Sequence, residues 1–167
     1  GLDIPGILSH LATDKVAIPS LTKFGEPIFN EDLLMLPCRV LIPAAVAEQI
    51  TVNNASRLQC QYLIEAANGP TSLEADAILK DRGIVVVPDI LANAGGVIVS
   101  YFEWVQDVQK YFWTENEVVA RLREIMVGAF EEVHTTATFE NVDMRTAALI
   151  KGIRRVADAK LVRGIFP

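Results

Sequence analysis

The sequence is poor in the residues that build metal sites and disulfide frameworks. It contains only 2 cysteines and 2 histidines in 167 residues. Cys38 and Cys60 show no metal-type spacing, and His10 and His134 lie far from both in the sequence. A zinc site is therefore not expected, and a disulfide stays open but is not required in a domain with this much core. We predict buried, reduced thiols, which favour a reducing compartment.

Clusters of basic residues and long apolar runs are also missing. The 15 Lys and Arg residues stand against 21 Asp and Glu, a net charge of −6, and no basic cluster is longer than Arg154-Arg155. Binding to a nucleic-acid backbone therefore has little electrostatic support. No apolar run approaches the roughly 18 to 20 residues of a membrane span, and no secretory signal is visible. We expect no nucleic-acid or membrane partner and a cytoplasmic location, while an organellar location stays open because the chain does not begin with Met.

The glycines do not form a phosphate-binding loop. None of the 10 glycines falls into the pattern G-x-G-x-x-G. That pattern builds the tight turn and the helix N-terminus that hold the pyrophosphate of a dinucleotide. These parts are therefore missing from the 167 residues.

Three short apolar runs organise the centre of the chain. Arg39–Ile42, Tyr62–Glu65 and Ile84–Val87 follow one another at intervals of about 23 residues. Each is short enough to be a strand that is buried on both faces, and the connections are too long for hairpins. The sequence therefore predicts an α/β fold with three parallel strands, crossover helices and further helices after the sheet.

Two short helices are predicted before the sheet. Asp3 is the expected N-cap of a helix within Gly1–Asp14, and Asn30 is the expected cap of a helix that runs to Leu36. The segment Lys15–Ile28, rich in Pro and Gly, reads as a loop between them.

The strand connections differ in how clearly they predict helices. Thr71–Glu74 forms a capping-box pattern before an apolar face of Leu73, Ala77 and Ile78, and Gly83 is a natural end for that helix. The segment Ala45–Gln59 is less periodic, and we also assign it a helix.

Three helices are predicted after the sheet. An amphipathic segment with Ile98, Phe102 and Phe112 at helical spacing should follow a turn at Gly95-Gly96. The pattern Thr114–Glu117 is a second capping box before a long helix. Asp143 should cap the last helix, Gly164 should end it, and its apolar face comprises Leu149, Ile153, Val156 and Leu161.

Small or amide-bearing residues follow each predicted strand. These segments are Pro43–Ala45, Ala66–Gly69 and Ala92–Gly95. Ligands of parallel α/β sheets bind beyond the carboxyl ends of the strands, so a pocket across the three strand ends is expected. From the residues alone, Asn68 and Asn93 are more often turn or capping groups than ligand contacts.

Several stretches of the sequence resemble one family closely. They are Asp89–Val97, Val99–Trp104, Leu41–Ala45, Glu65–Thr71, Val142–Ala148 and Arg163–Pro167. Together they resemble the C-terminal landmarks of the glutamate dehydrogenases, within the wider glutamate/leucine/phenylalanine/valine dehydrogenase family. The resemblance implies a partial Rossmann-like nucleotide-binding domain with closing C-terminal helices, formed by residues 1–167 as one domain. It also implies that the family's substrate domain and glycine-rich fingerprint are absent from this chain.

The resemblance assigns a cofactor site to the strand ends. Asn68 and Asn93 match positions that line the ribose and nicotinamide end of the cofactor in the family, and Ala44 and Ala45 match the loop beside it. The implied cofactor is NAD or NADP, and the choice between them stays open.

The resemblance also implies a substrate and a reaction. Val97 and Ser100 match positions that meet the substrate side chain, and the Ser100 hydroxyl suits the distal carboxylate of glutamate. The resemblance implies that the complete enzyme converts glutamate to 2-oxoglutarate and ammonia. It also implies that the complete enzyme is a homo-oligomer. The family's catalytic lysine and aspartate match no residue here, so no catalytic residue is assigned and the chain alone is expected to be inactive. Two alternatives stay open, a leucine, phenylalanine or valine dehydrogenase segment and a non-catalytic binding module.

Overall fold

The computed structural model describes residues 2–13 and 23–164. The chain divides into two compact units, Gly1–Leu36 and Pro37–Pro167. In the first unit, helix α1 spans Ile4–Thr13 and helix α2 spans Asn30–Leu34. The Asp3 Oδ1 atom accepts a hydrogen bond from the Gly6 N–H at 3.0 Å, so the predicted cap of α1 is confirmed. Most of the loop predicted over residues 15–28 lies outside the described residues.

The predicted start and end of α2 are wrong. Asn30 is the first helical residue, and Phe29 occupies the N-cap position without a side-chain hydrogen bond. Phe29 is extended, with ψ 148°, and its carbonyl accepts the first helical bond from Leu33 N at 2.9 Å. Because Asn30 already has helical geometry, its amide lies one position too late to cap the first turn.

The second unit contains a parallel sheet of three strands. They are β1 (Val40–Leu41), β2 (Tyr62–Ile64) and β3 (Val85–Val87), in the order β1-β2-β3. Val40 pairs with Tyr62, and Tyr62 pairs with Val85. The predicted three-stranded parallel sheet of an α/β fold is therefore confirmed.

The expectation that the strands are buried on both faces is wrong. Leu63 is fully buried, whereas the row formed by Val40, Tyr62 and Val85 on the opposite face is exposed by 42%, 39% and 45%. Successive side chains of a strand point to opposite faces, so this row lies on one side of the sheet. The described part of the chain covers one face well and the other only partly.

The connection between β1 and β2 contains no α-helix. Within residues 45–59, the only helical piece is a 3-10 turn at Ala55–Arg57, so the predicted helix is wrong. The Asn54 Oδ1 atom accepts from Thr51 N at 2.8 Å, and Asn54 Nδ2 donates to the Gln49 carbonyl at 2.8 Å. Asn and Thr side chains that bond the local backbone in this way compete with a helix.

Helix α3 spans Leu73–Asp81 and lies between β2 and β3 in the sequence. Its N-cap is Ser72, whose hydroxyl accepts from Ala75 N at 3.4 Å, so the predicted capping box beginning at Thr71 is wrong. Thr71 instead pairs with Ile50 in an isolated parallel bridge. The bridge holds Thr71 in extended backbone, and the helix therefore starts one residue later.

The buried face of α3 also differs from the prediction. Ala75 and Leu79 are fully buried, whereas Leu73 and Ala77 are exposed. Ala75 and Leu79 are four residues apart and lie on one face of the helix, and that face, not the predicted one, is buried. The predicted end is confirmed, since Gly83 follows the helix with a left-handed φ of +70°.

Four helices follow the sheet. They are α4 (Asp89–Ala92), α5 (Gly95–Gln109), α6 (Glu115–Glu140) and α7 (Met144–Arg163). The turn predicted at Gly95-Gly96 is wrong, because the chain turns at residues 93–94 and α5 begins at Gly95. Phe112 lies beyond the end of α5 at Gln109, so only part of the predicted amphipathic face is helical.

The caps of α6 and α7 agree with the sequence. Thr114 and Glu117 form the predicted capping box of α6. The Asp143 Oδ1 atom accepts from Thr146 N at 2.8 Å at the start of α7, and Gly164 ends that helix. Each cap satisfies an N–H group that would otherwise have no partner in the first turn.

The helices pack through a small core beside β3. It contains the buried residues Leu91, Val133, Met144 and Ala147. The apolar face predicted for α7 is wrong, because Leu149, Ile153, Val156 and Leu161 are all exposed. Among the described residues, no helix combines the length and apolar character needed to cross a membrane.

Candidate functional site

A cleft of about 670 Å³ lies at the carboxyl ends of the strands. It is lined by Ala45, Val46, Ala47, Ala66, Ala67, Asn68, Asn93, Gly96, Val97 and Ser100. Five of the residues singled out in the sequence therefore meet in one cleft: Ala45, Asn68, Asn93, Val97 and Ser100. Ala44 is exposed and is not among the lining residues, so the structure does not bring it into the cleft with its neighbour.

Backbone hydrogen bonds join the loops that form two walls of the cleft. The Pro43 carbonyl after β1 accepts from the N–H groups of both Ala66 and Ala67 after β2, at 3.1 and 2.9 Å. The Glu48 N–H donates to the Gly69 carbonyl at 2.9 Å. Because these residues carry mostly small side chains, a flat ligand can approach the backbone closely.

Two asparagines meet at the floor of the cleft. Asn93 Nδ2 donates to Asn68 Oδ1 at 2.6 Å, which joins the loop after β2 to the turn after α4. An asparagine amide offers one oxygen acceptor and an NH₂ group with two hydrogens. The NH₂ group of Asn68 and the side-chain oxygen of Asn93 take no part in this bond. Together they can bind a carboxamide or a hydroxyl, which also donate and accept.

The third wall is formed by the first two turns of α5. Val97 and Ser100 are three residues apart and therefore lie on the same face of the helix. Both are exposed. A methyl-bearing side chain and a hydroxyl thus stand side by side, which suits a ligand with an aliphatic stem and a polar end.

A partly buried ion-pair cluster, formed by residues that do not line this cleft, was not predicted from the sequence. Arg145 on α7 donates to Glu65 Oε1 at 2.6 Å and to Asp76 Oδ2 at 2.6 Å, and it lies 3.4 Å from Asp89 Oδ1. The Glu65 side chain is 0% exposed. A charge removed from water is tolerated only when it is paired and hydrogen-bonded, so Arg145 is the partner that Glu65 requires.

The charge state of Arg145 follows from its partners. Burial alone would lower the pKa of Arg145, but the hydrogen bonds and negative charges of Glu65 and Asp76 outweigh it and raise that pKa. The guanidinium is therefore always charged. Two features of the sequence could have drawn attention to this cluster. Glu65 lies at the end of an apolar run, and Arg145 lies within Val142–Ala148, a stretch that resembles the family. Sequence spacing alone does not pair residues that are 80 positions apart.

The remaining titratable groups do not form a metal centre. Across residues 2–13 and 23–164, no group of three or more His, Cys, Asp or Glu side chains is placed to hold a metal ion. Both cysteines are free, and Cys60 is buried as predicted, whereas the expected burial of Cys38 is wrong because Cys38 is only partly buried. Burial raises the pKa of the Cys60 thiol, and the neighbouring Cys38 raises it further. Such a thiol is a poor nucleophile at neutral pH.

The parallel sheet, its crossover connections and the cleft at the strand ends define the class of the fold, a partial Rossmann-like α/β domain. The sequence matches the family described as Glutamate/Leucine/Phenylalanine/Valine dehydrogenase over residues 1–164. The chain belongs to this family.

Two curated relatives illustrate the similarity. The catabolic NAD-specific glutamate dehydrogenase RocG of Bacillus subtilis is 49% identical over 165 residues, which are 98% of this chain and 38% of that protein. The glutamate dehydrogenase of Thermotoga maritima is 55% identical over 143 residues, which are 86% of this chain and 34% of that protein. The chain thus spans less than two fifths of the length of these relatives.

A solved structure agrees with the fold. The hetero-hexameric glutamate dehydrogenase of Thermus thermophilus, in a leucine-bound form, superimposes with a TM-score of 0.87 at 31% identity. The match covers 100% of this chain and 39% of that chain. The glutamate dehydrogenase of Peptoniphilus asaccharolyticus gives a TM-score of 0.71 at 42% identity, over 75% of this chain and 32% of that one.

Proposed function

We propose that this chain is the C-terminal part of the nucleotide-binding domain of an NAD-dependent glutamate dehydrogenase, with closing helices. The complete enzyme oxidises glutamate to 2-oxoglutarate and ammonia. The observation that carries the proposal is the pair Asn68–Asn93, bonded at 2.6 Å in a cleft at the carboxyl ends of parallel strands. The relative RocG of Bacillus subtilis is named NAD-specific, which supports NAD rather than NADP.

The cleft suits the nicotinamide end of the cofactor. The nicotinamide ring supplies the hydride acceptor, and the protein's role is to orient it. The free amide groups of Asn68 and Asn93 would bind the carboxamide or the ribose hydroxyls. Ala45 and Ala66 leave room for a flat ring against the backbone, and Ala44 would shape the same loop from outside the lining.

The exposed face of α5 suits the substrate. Val97 would contact the aliphatic stem of glutamate, while the Ser100 hydroxyl would donate a hydrogen bond to its distal carboxylate. A hydroxyl that bonds a charged group discriminates against an apolar side chain, which leaves it without a partner in a closed site. This pairing favours glutamate over leucine, phenylalanine or valine.

The chain's own residues bind and orient, and we assign none of them a proton-transfer role. The acid–base groups of the reaction would come from the substrate domain of the complete enzyme. The Thermus thermophilus relative is a hexamer, which supports an oligomeric enzyme here too. We place the enzyme in the cytoplasm, where free thiols such as Cys60 persist.

Steady-state kinetics on the complete protein tests the proposal. The substrates are glutamate, leucine, phenylalanine and valine, each with NAD and with NADP. We expect the highest kcat/KM for glutamate with NAD. Asn93→Ala should raise the KM for NAD, whereas the matched variant Asn53→Ala, on an exposed turn outside the cleft, should not.

Two results would contradict the proposal in different ways. A preference for leucine, phenylalanine or valine would place the chain in another branch of the family. A protein that neither binds NAD nor turns over any of the four amino acids would be a binding module without catalytic activity.

A further inference from the structure

A chain of hydrogen bonds leads from α7 to the asparagine pair. Arg145 Nη2 donates to Glu65 Oε1 at 2.6 Å, and the Asp89 N–H donates to Glu65 Oε2 at 2.9 Å. The Asp89 carboxylate accepts from the Gly69 N–H at 2.8 Å. Gly69 directly follows Asn68, so the chain of hydrogen bonds ends at the peptide bond next to a residue that lines the cleft.

Asp89 is the point where this chain branches. Its Oδ2 atom accepts from Gly69 N, and its carbonyl accepts from Asn93 N at 3.0 Å. One residue therefore holds the backbone on both sides of the bond between Asn68 and Asn93. Asp89 itself is not among the residues that line the cleft.

The contact between the Gly69 N–H and the Asp89 carboxylate involves a residue with an unusual backbone conformation. Gly69 has a φ of +54°, the left-handed conformation that glycine adopts most readily. The N–H of Gly69 lies in the peptide plane that joins it to Asn68, and it donates to the Asp89 carboxylate at 2.8 Å. The contact therefore fixes the direction in which the chain leaves Asn68.

The other end of the chain is anchored by burial. Glu65 is 0% exposed and uses one carboxylate oxygen for Arg145 and the other for Asp89 N. With both oxygens engaged and its charge compensated, Glu65 cannot rotate without leaving a buried charge unpaired. The start of α4 is held in place by this carboxylate.

We propose that Asp89 is a positioning residue for the cofactor site, held by the Arg145–Glu65 pair, and that it presets Asn68 and Asn93 for the nicotinamide end of NAD. The inference rests on the proposed function of the two asparagines. Asp89 touches neither substrate nor cofactor and acts only through the backbone of its neighbours. An amide that is preset in the bound geometry does not need to be ordered on binding, which strengthens binding.

A double-mutant cycle on the complete enzyme tests this proposal. Asp89→Ala should raise the KM for NAD about tenfold, while kcat at saturating NAD and the KM for glutamate change by less than about twofold. If Asp89 acts through Asn68, Asn68→Ala with Asp89→Ala should be no worse than Asn68→Ala alone. Asp89→Asn keeps an oxygen that can accept from Gly69 N, and it should bring the KM for NAD back to within about threefold of the parent.

Amide hydrogen exchange supplies a readout that does not depend on activity. Asp89→Ala should speed exchange in the peptide that contains residues 66–72, in the absence of NAD. The matched control is Asp76→Ala, which removes another carboxylate from the same guanidinium but lies on α3. It should lower the melting temperature without changing exchange in that peptide or the KM for NAD.

The outcomes separate this proposal from the proposed function. An additive double mutant, or unchanged exchange at residues 66–72 in Asp89→Ala, would overturn the positioning role. An unchanged KM for NAD in Asn68→Ala would instead overturn the function assigned to the asparagine. If Asn68→Ala leaves the KM for NAD unchanged, faster exchange in Asp89→Ala would still support the view that Asp89 orders residues 66–72. An unchanged exchange rate would then refute both the positioning role of Asp89 and the cofactor role of Asn68.

Discussion

Asn68 and Asn93 lie 25 residues apart in the sequence and share a hydrogen bond of 2.6 Å. Each follows a different strand of the parallel sheet, and the bond closes the floor of a cleft at the carboxyl ends of those strands. The remaining donor and acceptor of the pair are complementary to a carboxamide. This relationship connects the fold of the chain with the cofactor chemistry of its family.

The Ser100 hydroxyl should set the preference for glutamate in the complete enzyme. Ser100→Ala leaves the distal carboxylate without this partner, a loss of about 1–3 kcal/mol. We expect kcat/KM to fall for glutamate but to change little for norvaline, which lacks the carboxylate. The measurement is steady-state kinetics with both substrates, and Ser56→Ala, on the exposed 3-10 turn outside the cleft, is the matched control. Equal losses for both substrates would remove Ser100 from a role in specificity.

Asp143 should contribute a pH-dependent part of the stability of α7. Burial alone would raise the pKa of Asp143, but hydrogen bonds from the Thr146 N–H and hydroxyl, together with the charge of Lys80, lower it. A lowered folded pKa means that the stabilisation is complete above the ordinary value of 3.8 and is lost as the pH falls through the folded value. Asp143→Ala should therefore cost about 1 kcal/mol at neutral pH.

Urea unfolding of the chain at several pH values measures this effect. The difference between Asp143→Ala and the parent should shrink only at pH values below the ordinary pKa of the carboxyl. Asp143→Asn keeps a capping oxygen, so it should lose less stability at neutral pH. A difference that stays constant down to strongly acidic pH would contradict the assigned charge of the cap.

Arg145 should be one of the most sensitive positions for stability. Arg145→Met leaves the fully buried Glu65 without its cation and should destabilise the protein by about 3–5 kcal/mol. The control is Lys151→Ala, because Lys151 pairs with Glu132 at 3.0 Å on the surface, where both side chains are well exposed. Water screens such a pair, so its loss should change the free energy of unfolding little. Similar small losses at both positions in denaturant unfolding would show that Glu65 finds another partner or becomes neutral.

The isolated chain of residues 1–167 should bind NAD weakly or not at all. It contains no G-x-G-x-x-G loop, so the charge-assisted hydrogen bonds to the pyrophosphate are missing. The cleft would contact only the nicotinamide end. Calorimetric titration of the isolated chain, with the complete protein as control, measures the difference. A low-micromolar dissociation constant for the isolated chain would contradict the prediction.

The sequence predicted the sheet well because apolar runs this short, with turn residues on both sides, are typical of buried strands and too short for most helices. The runs around Val40, Tyr62 and Val85 became three parallel strands in sequence order. A pocket at the strand ends followed from that order, because parallel strands bring their carboxyl ends to one edge. The site roles of Asn68, Asn93 and Ser100 came instead from the family resemblance. Of the two predicted capping boxes, Thr114–Glu117 was correct, and both of its partners lie within one turn.

Several of the errors have two physical causes, which are contacts between residues distant in sequence and side chains that bond the local backbone. Thr71 was predicted to cap α3, but its bridge to Ile50 holds it in extended backbone. Residues 45–59 were assigned a helix, but the Asn54 side chain bonds the backbone of Thr51 and Gln49, both before it in the sequence, and favours a turn. The Arg145–Glu65 pair joins residues 80 positions apart, and no local pattern reveals such a pair.

A structure of the complete protein with NAD bound tests the central claim most directly. The measured quantity is the distance from the side-chain amides of Asn68 and Asn93 to the polar atoms of the nicotinamide and its ribose. We predict at least one hydrogen bond of about 2.7–3.2 Å to each asparagine, with the ring beside Ala45. A nicotinamide bound elsewhere, with both asparagines bonded only to each other and to the protein, would contradict the assignment of this cleft as the cofactor site.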